Sequence, residues 1–206
     1  SATLILATAS LEESLDNLIL STQKLSQKKI AFEAEHVAFH DGQRLKDQNP
    51  KCQWVSSHGL IEELRITKEE SEITVLKSAF SRAQEALRQT LLQFRPGISE
   101  HELAGLLELE MRLAGGEGSA FDTIVASGPR SSLPHGTASE RLILEGDLVL
   151  IDFGIRDQGY HSDLTRIHLP ADVPEPDILE IVREAHRAAI DSVRPGVPGS
   201  KVDEAA

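Results

Sequence analysis

The stretch Leu148-Val149-Leu150-Ile151-Asp152-Phe153-Gly154, followed by Tyr160-His161-Ser162-Asp163-Leu164-Thr165-Arg166, decides how most of the chain is read. Val149, Leu150 and Ile151 form a short apolar run. Ile155 and Tyr160 continue the strand character across Arg156-Asp157-Gln158-Gly159, a polar interruption with turn chemistry, so the segment predicts a β-hairpin. A turn centred between Asp157 and Gln158 sets Asp152 directly opposite Asp163, on one face, with Cβ atoms roughly 4.5–5.5 Å apart. Two bare carboxylates at that separation repel, so the pair calls for a shared proton or for cations between them. Two metal ions roughly 3.5–4 Å apart fit such a gap. The competing reading is a solvated hairpin whose acids align by chance. A three-residue loop, Asp157 to Gly159, shifts the register by one and sends the two side chains to opposite faces. Against it, Asp152 follows a run of buried type, where an unpaired charge is costly.

Composition narrows the class. With 206 residues and 40% apolar content the chain can bury a sizeable core, divided between one large domain and a smaller one. A net charge of −12 disfavours nucleic acid and anionic membranes as partners. Cys52, the single cysteine, excludes an intrachain disulfide and gives no paired-cysteine metal knuckle; a reducing cytoplasm is the expected compartment. The apolar opening Thr3–Ala7 is short and has no basic segment before it, which fits a strand and neither a signal peptide nor a membrane span.

Residues 1–64 alternate predicted strands and helices: Thr3–Ala7, a helix with apolar Leu11, Leu15, Leu18 and Ile19, Lys29–Glu33, a helical stretch near His36–Lys46, and Gln53–Val55. This is a small α/β module, shorter than a complete domain. Residues 65–206 open with a long helix, for which Thr67 and Glu70 form a capping box, and Ile73, Leu76, Ala79, Phe80, Ala83 and Leu87 keep helical spacing until Arg95-Pro96-Gly97. Ser99 and Glu102 cap a second helix running to Leu113. Gly115-Gly116-Glu117-Gly118 then reads as a flexible loop, since no phosphate-binding Lys follows. Ala120–Gly128 reads as a strand ended by Gly128-Pro129, and Asp177–Val193 as a helix ended by Arg194-Pro195-Gly196. A shift of 99 residues lays the first Arg-Pro-Gly on the second and aligns Glu85, Ala86 and Arg88 with Glu184, Ala185 and Arg187. The helix, stop, helix unit therefore occurs twice, and the second copy is cut at Ala206.

Phe121-Asp122-Thr123-Ile124-Val125-Ala126-Ser127-Gly128-Pro129, Leu133-Pro134-His135-Gly136, Gly146-Asp147-Leu148-Val149, Asp152-Phe153-Gly154 and Ser162-Asp163-Leu164-Thr165-Arg166 together resemble the Xaa-Pro peptidases of the pita-bread metallopeptidase family. The resemblance spans about Leu64 to Ala206. It implies an α/β (α+β) fold: a duplicated pita-bread catalytic domain, here incomplete, preceded by part of that family's small α/β amino-terminal domain. It also implies hydrolysis of the bond between an N-terminal residue and proline, in a peptide or dipeptide substrate, by a homodimer. By position, Asp152 and Asp163 match the first two of five metal ligands, and His135 matches the histidine near the substrate carbonyl. The other three ligands, one His and two Glu, fall downstream of this chain's residues. The implied cofactor is a pair of divalent ions; carboxylate-rich ligation suits Mn²⁺, with Co²⁺ or Zn²⁺ as alternatives. Asp163 would bridge both ions, Asp152 would hold one, and His135 would donate a hydrogen bond to the developing oxyanion or to the substrate.

Other classes compete. A serine hydrolase could use Ser127, Ser131 or Ser132 with His135, but no Gly-x-Ser-x-Gly elbow is present. A metal-free creatinase-like relative would not need both aspartates, and a non-catalytic binding protein would explain the missing ligands. His161, His168, Tyr160 and Arg166 are read as surface or supporting residues of the hairpin, and Phe121 and Ile124 as core.

Overall fold

The computed structural model describes residues 29–48, 50–170 and 176–206. The expected strand Thr3–Ala7 and the helix carrying Leu11, Leu15, Leu18 and Ile19 lie outside them. The chain divides into two units, Ser1–Lys68 and Glu69–Ala206. In the first, strand β1 (Lys29–Glu33) pairs in parallel with β2 (Gln53–Ser57), and helix α1 (Phe39–Gln48) connects them. Phe32 meets Trp54 edge to face at 6.4 Å. A short helix α2 (Leu60–Ile66) follows Gly59, whose φ of 72° makes the entry turn.

The second unit begins with helix α3 (Glu70–Gln93). Its cap is Glu69 with Glu72, two residues beyond the expected Thr67 and Glu70. Glu69 N–H donates to the Glu72 carboxylate at 2.6 Å, and the same side chain receives the Tyr160 hydroxyl of the hairpin. That long-range tie favours the Glu69–Glu72 box over the expected Thr67–Glu70 one. Helix α4 (Glu100–Leu113) starts as expected, with the Ser99 hydroxyl accepting from Glu102 N–H at 3.0 Å. Ala79, Ala83 and Ala86 on α3 let the two helices approach closely, and with Leu103, Leu107 and Met111 they bury against Val125, Val149, Ile151 and Phe153.

Those last four residues belong to a three-stranded antiparallel sheet in which β5 (Val149–Phe153) lies between β4 (Ile124–Ser127) and β8 (Leu164–His168). A second small sheet sets β6 (Ile155–Asp157) between β3 (Gly118–Ser119) and β7 (Tyr160–His161). The expected strand Ala120–Gly128 is thus shorter, and the expected loop 115–118 is not loose. A Cβ on Gly116 would come within 2.8 Å of the Ile155 side chain, and Gly118 pairs with Arg156. Close packing of the turn on the hairpin, invisible in a run of glycines, is the reason.

The duplication has a backbone counterpart. Helix α5 (Asp177–Ser192) ends 99 residues after α3, and helix α6 (Gly199–Ala205) begins 99 residues after α4. Between each pair a left-handed glycine makes the turn, Gly97 at φ 96° and Gly196 at φ 85°.

Candidate active site

The hairpin forms, but its register differs from the expected one. Asp152 pairs with Thr165, and Asp157 with Tyr160, so Gln158-Gly159 is a two-residue turn. Both turn residues have positive φ, 49° and 78°, as in a type I′ turn, whose twist matches that of the flanking strands. Asp163 therefore lies two residues from the position opposite Asp152, a diagonal neighbour. A shift of two keeps the face where a shift of one would have lost it. Burial alternates accordingly: Ile151, Phe153, Ser162 and Leu164 are buried, while Asp163 and Thr165 are exposed and Asp152 is half-buried. Asp152 and Asp163 thus share the sheet face turned away from α3 and α4.

Between them the ribbon passes from one sheet to the other. Gly154 sits at the crossing, where a Cβ would lie 1.9 Å from the Ser162 carbonyl oxygen. The buried Ser162 hydroxyl accepts from Ile155 N–H at 2.9 Å, and Ser162 N–H donates to Ile155 O at 2.9 Å. Gly154 and Ser162 therefore set the offset between the two aspartates. Asp152 Oδ1 accepts from the Thr165 hydroxyl at 3.0 Å. Among the described residues, no lysine or arginine pairs with Asp152 or Asp163. Two carboxylates on one face with, among the described residues, no protein cation beside them suit hard divalent ions.

His135 is exposed on the segment that follows β4. A Cβ on its neighbour Gly136 would stand 3.6 Å from the Ala126 Cβ, and Ala126 pairs with Leu150, two residues along the ladder from the Ile124–Asp152 pair and so on the same face. The loop carrying His135 hence lies over the same face as Asp152. Of the other histidines, His161 is exposed, and His168 packs against Phe94 with ring centres 5.0 Å apart. Burial pushes the His168 pKa down. Ser127, a candidate of the serine reading, is buried and gives its hydroxyl to Glu100, while Ser131 and Ser132 donate to backbone carbonyls of their own turn. Phe121 and Ile124, expected in the core, are only half-buried.

Among the described residues, a group of three possible ligands with atoms within 4.8 Å of one another is Glu33, His36 and Glu62, in the first unit. All three are exposed, and His36 is 3.4 Å from Glu62. Exposed acids of this kind commonly cluster without an ion.

A profile described as metallopeptidase family M24 matches residues 74–206, and one described as the creatinase/prolidase N-terminal domain matches residues 3–67. The chain belongs to metallopeptidase family M24. Within that family it is 44% identical over 146 residues to the uncharacterized peptidase YqhT of Bacillus subtilis, covering 69% of this chain and 41% of the relative. It is 41% identical over 149 residues to the Xaa-Pro dipeptidase of Pyrococcus horikoshii, covering 71% and 42%. The X-Pro aminopeptidase of Thermotoga maritima superposes with a TM-score of 0.85 at 35% identity, covering 97% of this chain and 56% of that one. The pita-bread class expected from the sequence agrees with this likeness. The chain spans less than half the length of these two curated relatives. As an M24 metallopeptidase sequence it implies divalent metal ions. No helix among the described residues is long and apolar enough to cross a membrane.

Sequence reasoning missed Thr165, Gly154 and Ser162. A signal was present: a residue followed by Gly between two strand-like runs is a two-residue hairpin turn. Centring the hairpin on Gln158-Gly159 places Thr165 opposite Asp152.

Proposed function

We propose that the protein containing this chain is a metal-dependent Xaa-Pro peptidase acting on peptides or dipeptides with proline in the second position. Residues 1–64 belong to its amino-terminal domain, and residues 65–206 to the first half and the start of the second half of its catalytic domain. The observation that carries the reading is the shared face: Asp152 and Asp163 on one side of the hairpin with no protein cation beside them among the described residues, and the His135 loop lying over that side. The names of the relatives support the substrate class.

A peptide bond before proline is a tertiary amide without an N–H, and the rigid ring obstructs general peptidase sites. A divalent pair held by Asp152, Asp163 and further ligands supplies Lewis acidity and a water of lowered pKa. Mn²⁺ suits so carboxylate-rich a donor set, with Co²⁺ and Zn²⁺ as the other candidates. Thr165 holds the Asp152 carboxylate in one orientation. His135 donates a hydrogen bond to the substrate carbonyl oxygen as charge develops on it. The enzyme is a cytoplasmic homodimer in this reading.

Two variants of the full-length protein test the roles. Asp163→Ala should lose metal and activity together, with little rescue by excess Mn²⁺. His135→Ala should keep its metal while kcat/KM on an Xaa-Pro substrate falls on the order of 10²–10³-fold. Metal loss in His135→Ala, or near-normal turnover with full metal in Asp163→Ala, overturns the assignment.

A further inference from the structure

Glu100 is fully buried in the first turn of α4, where an unpaired carboxylate would be costly. Its Oε1 accepts from the N–H and the hydroxyl of Ser127, both at 2.8 Å. Its Oε2 accepts from Arg130 Nε at 3.0 Å, from Ser139 N–H at 3.2 Å and from the Ser139 hydroxyl at 2.6 Å. Burial pushes the carboxyl pKa up, yet the Ser139 and Ser127 donors and the Arg130 charge outweigh it and hold Glu100 below the usual glutamate value. The group is therefore an ionised carboxylate saturated by five donors.

The donors are not scattered. Ser127 is the last residue of β4, and Ser139 ends the excursion that leaves β4 and returns beside the α4 N-terminus, where His101 N–H reaches Ser139 O at 3.1 Å. Arg130 reinforces the neck by also donating from Nη2 to Thr137 O at 2.7 Å. At the exit Gly128, with φ 51°, leaves no room for a side chain, since a Cβ would lie 2.5 Å from Asp147 Oδ1. One buried charge thus joins both ends of residues 128–138, the segment that carries His135.

We propose that Glu100 is a positioning residue that closes the neck of this loop and holds His135 over the sheet face bearing Asp152. The importance of His135 to turnover rests on the peptidase reading; the clamp does not. Glu100→Gln keeps the shape but puts an NH₂ group where donors converge, leaving buried donors facing each other. Ser139→Ala removes one arm without touching the carboxylate.

Amide hydrogen exchange on the full-length protein tests the clamp directly. The N–H groups of Leu133 and Gly136 are hydrogen-bonded within the loop, to Arg130 O at 2.9 Å and Leu133 O at 3.2 Å. Both should exchange about tenfold faster in Glu100→Gln and in Ser139→Ala, the effect of a lost hydrogen bond, while Ala126 and Ile151 in the sheet stay protected in Ser139→Ala. Unchanged exchange at Leu133 and Gly136 in Ser139→Ala, or an equal rise at Ala126 and Ile151, overturns the clamp even if Glu100→Gln fails to fold. In the full-length protein, Glu100→Gln should retain metal and lower kcat on the order of 10–10²-fold. The same substitution in a His135→Ala background should cost nothing further. A full additional loss there refutes action through His135. If exchange responds but His135→Ala turns over normally, the clamp stands and the peptidase role of His135 falls.

Discussion

Replacing Gly154 by Ala should damage the offset between Asp152 and Asp163 more than any other single methyl added to the hairpin. The new Cβ would stand 1.9 Å from the Ser162 carbonyl oxygen, and the carbonyl carbon at 2.9 Å leaves that oxygen little freedom to rotate away. A tolerable carbon–oxygen contact is roughly 3.3 Å, so the two strands must part by about 1.4 Å. Overpacking of this kind costs about 1–3 kcal/mol. The parting also strains the two bonds at 2.9 Å between Ile155 and Ser162, each contributing about 0.5–1.5 kcal/mol. The expected destabilisation is therefore on the order of 2–6 kcal/mol. Exchange of the Ile151 and Phe153 amides reports on the sheet and should accelerate by at least about 30-fold. In the full-length protein the same variant should bind Mn²⁺ more weakly than a control such as Gly159→Asn, a substitution at a turn position with open space around it. Exchange within threefold of the native chain, together with unaltered metal affinity, would refute the steric argument.

Thr165→Val removes the hydroxyl contact to Asp152 and should weaken metal binding on the order of 10–10²-fold with little change in Tm, measured by metal titration. Stability of the second unit should decline as pH falls below about 6.5. The unfolded His168 takes up a proton there while the folded one, its pKa lowered by burial against Phe94, resists; His168→Phe should flatten that part of the Tm-versus-pH curve. A further decline at lower pH should follow from Glu100 and Asp147, both held below their usual values, as pH drops through their folded pKa; Asp147→Asn should lessen it.

The sequence by itself determined the features written within a few residues of one another. The Arg-Pro-Gly stops, the Ser99 cap, the helix ends at Gln93 and Ser192, and the alternation that gives Asp152 and Asp163 one face all depend on local periodicity and turn chemistry. The motif order likewise led to the M24 family. Register was decided by tertiary structure. Gln158 enters the left-handed region, which costs a non-glycine residue energy, because pairing of β5 with both β4 and β8 outweighs the local preference. The same holds for the start of α3, moved to Glu69 by the Tyr160 hydroxyl on Glu72, and for Gly116, packed on Ile155. Glu100 shows the limit most sharply. In the chain it is one helix-opening acid among several, and only the return of Ser127, Arg130 and Ser139 to a single buried point makes it a clamp, since the energy of a buried charge depends on donors that lie 27 to 39 residues away.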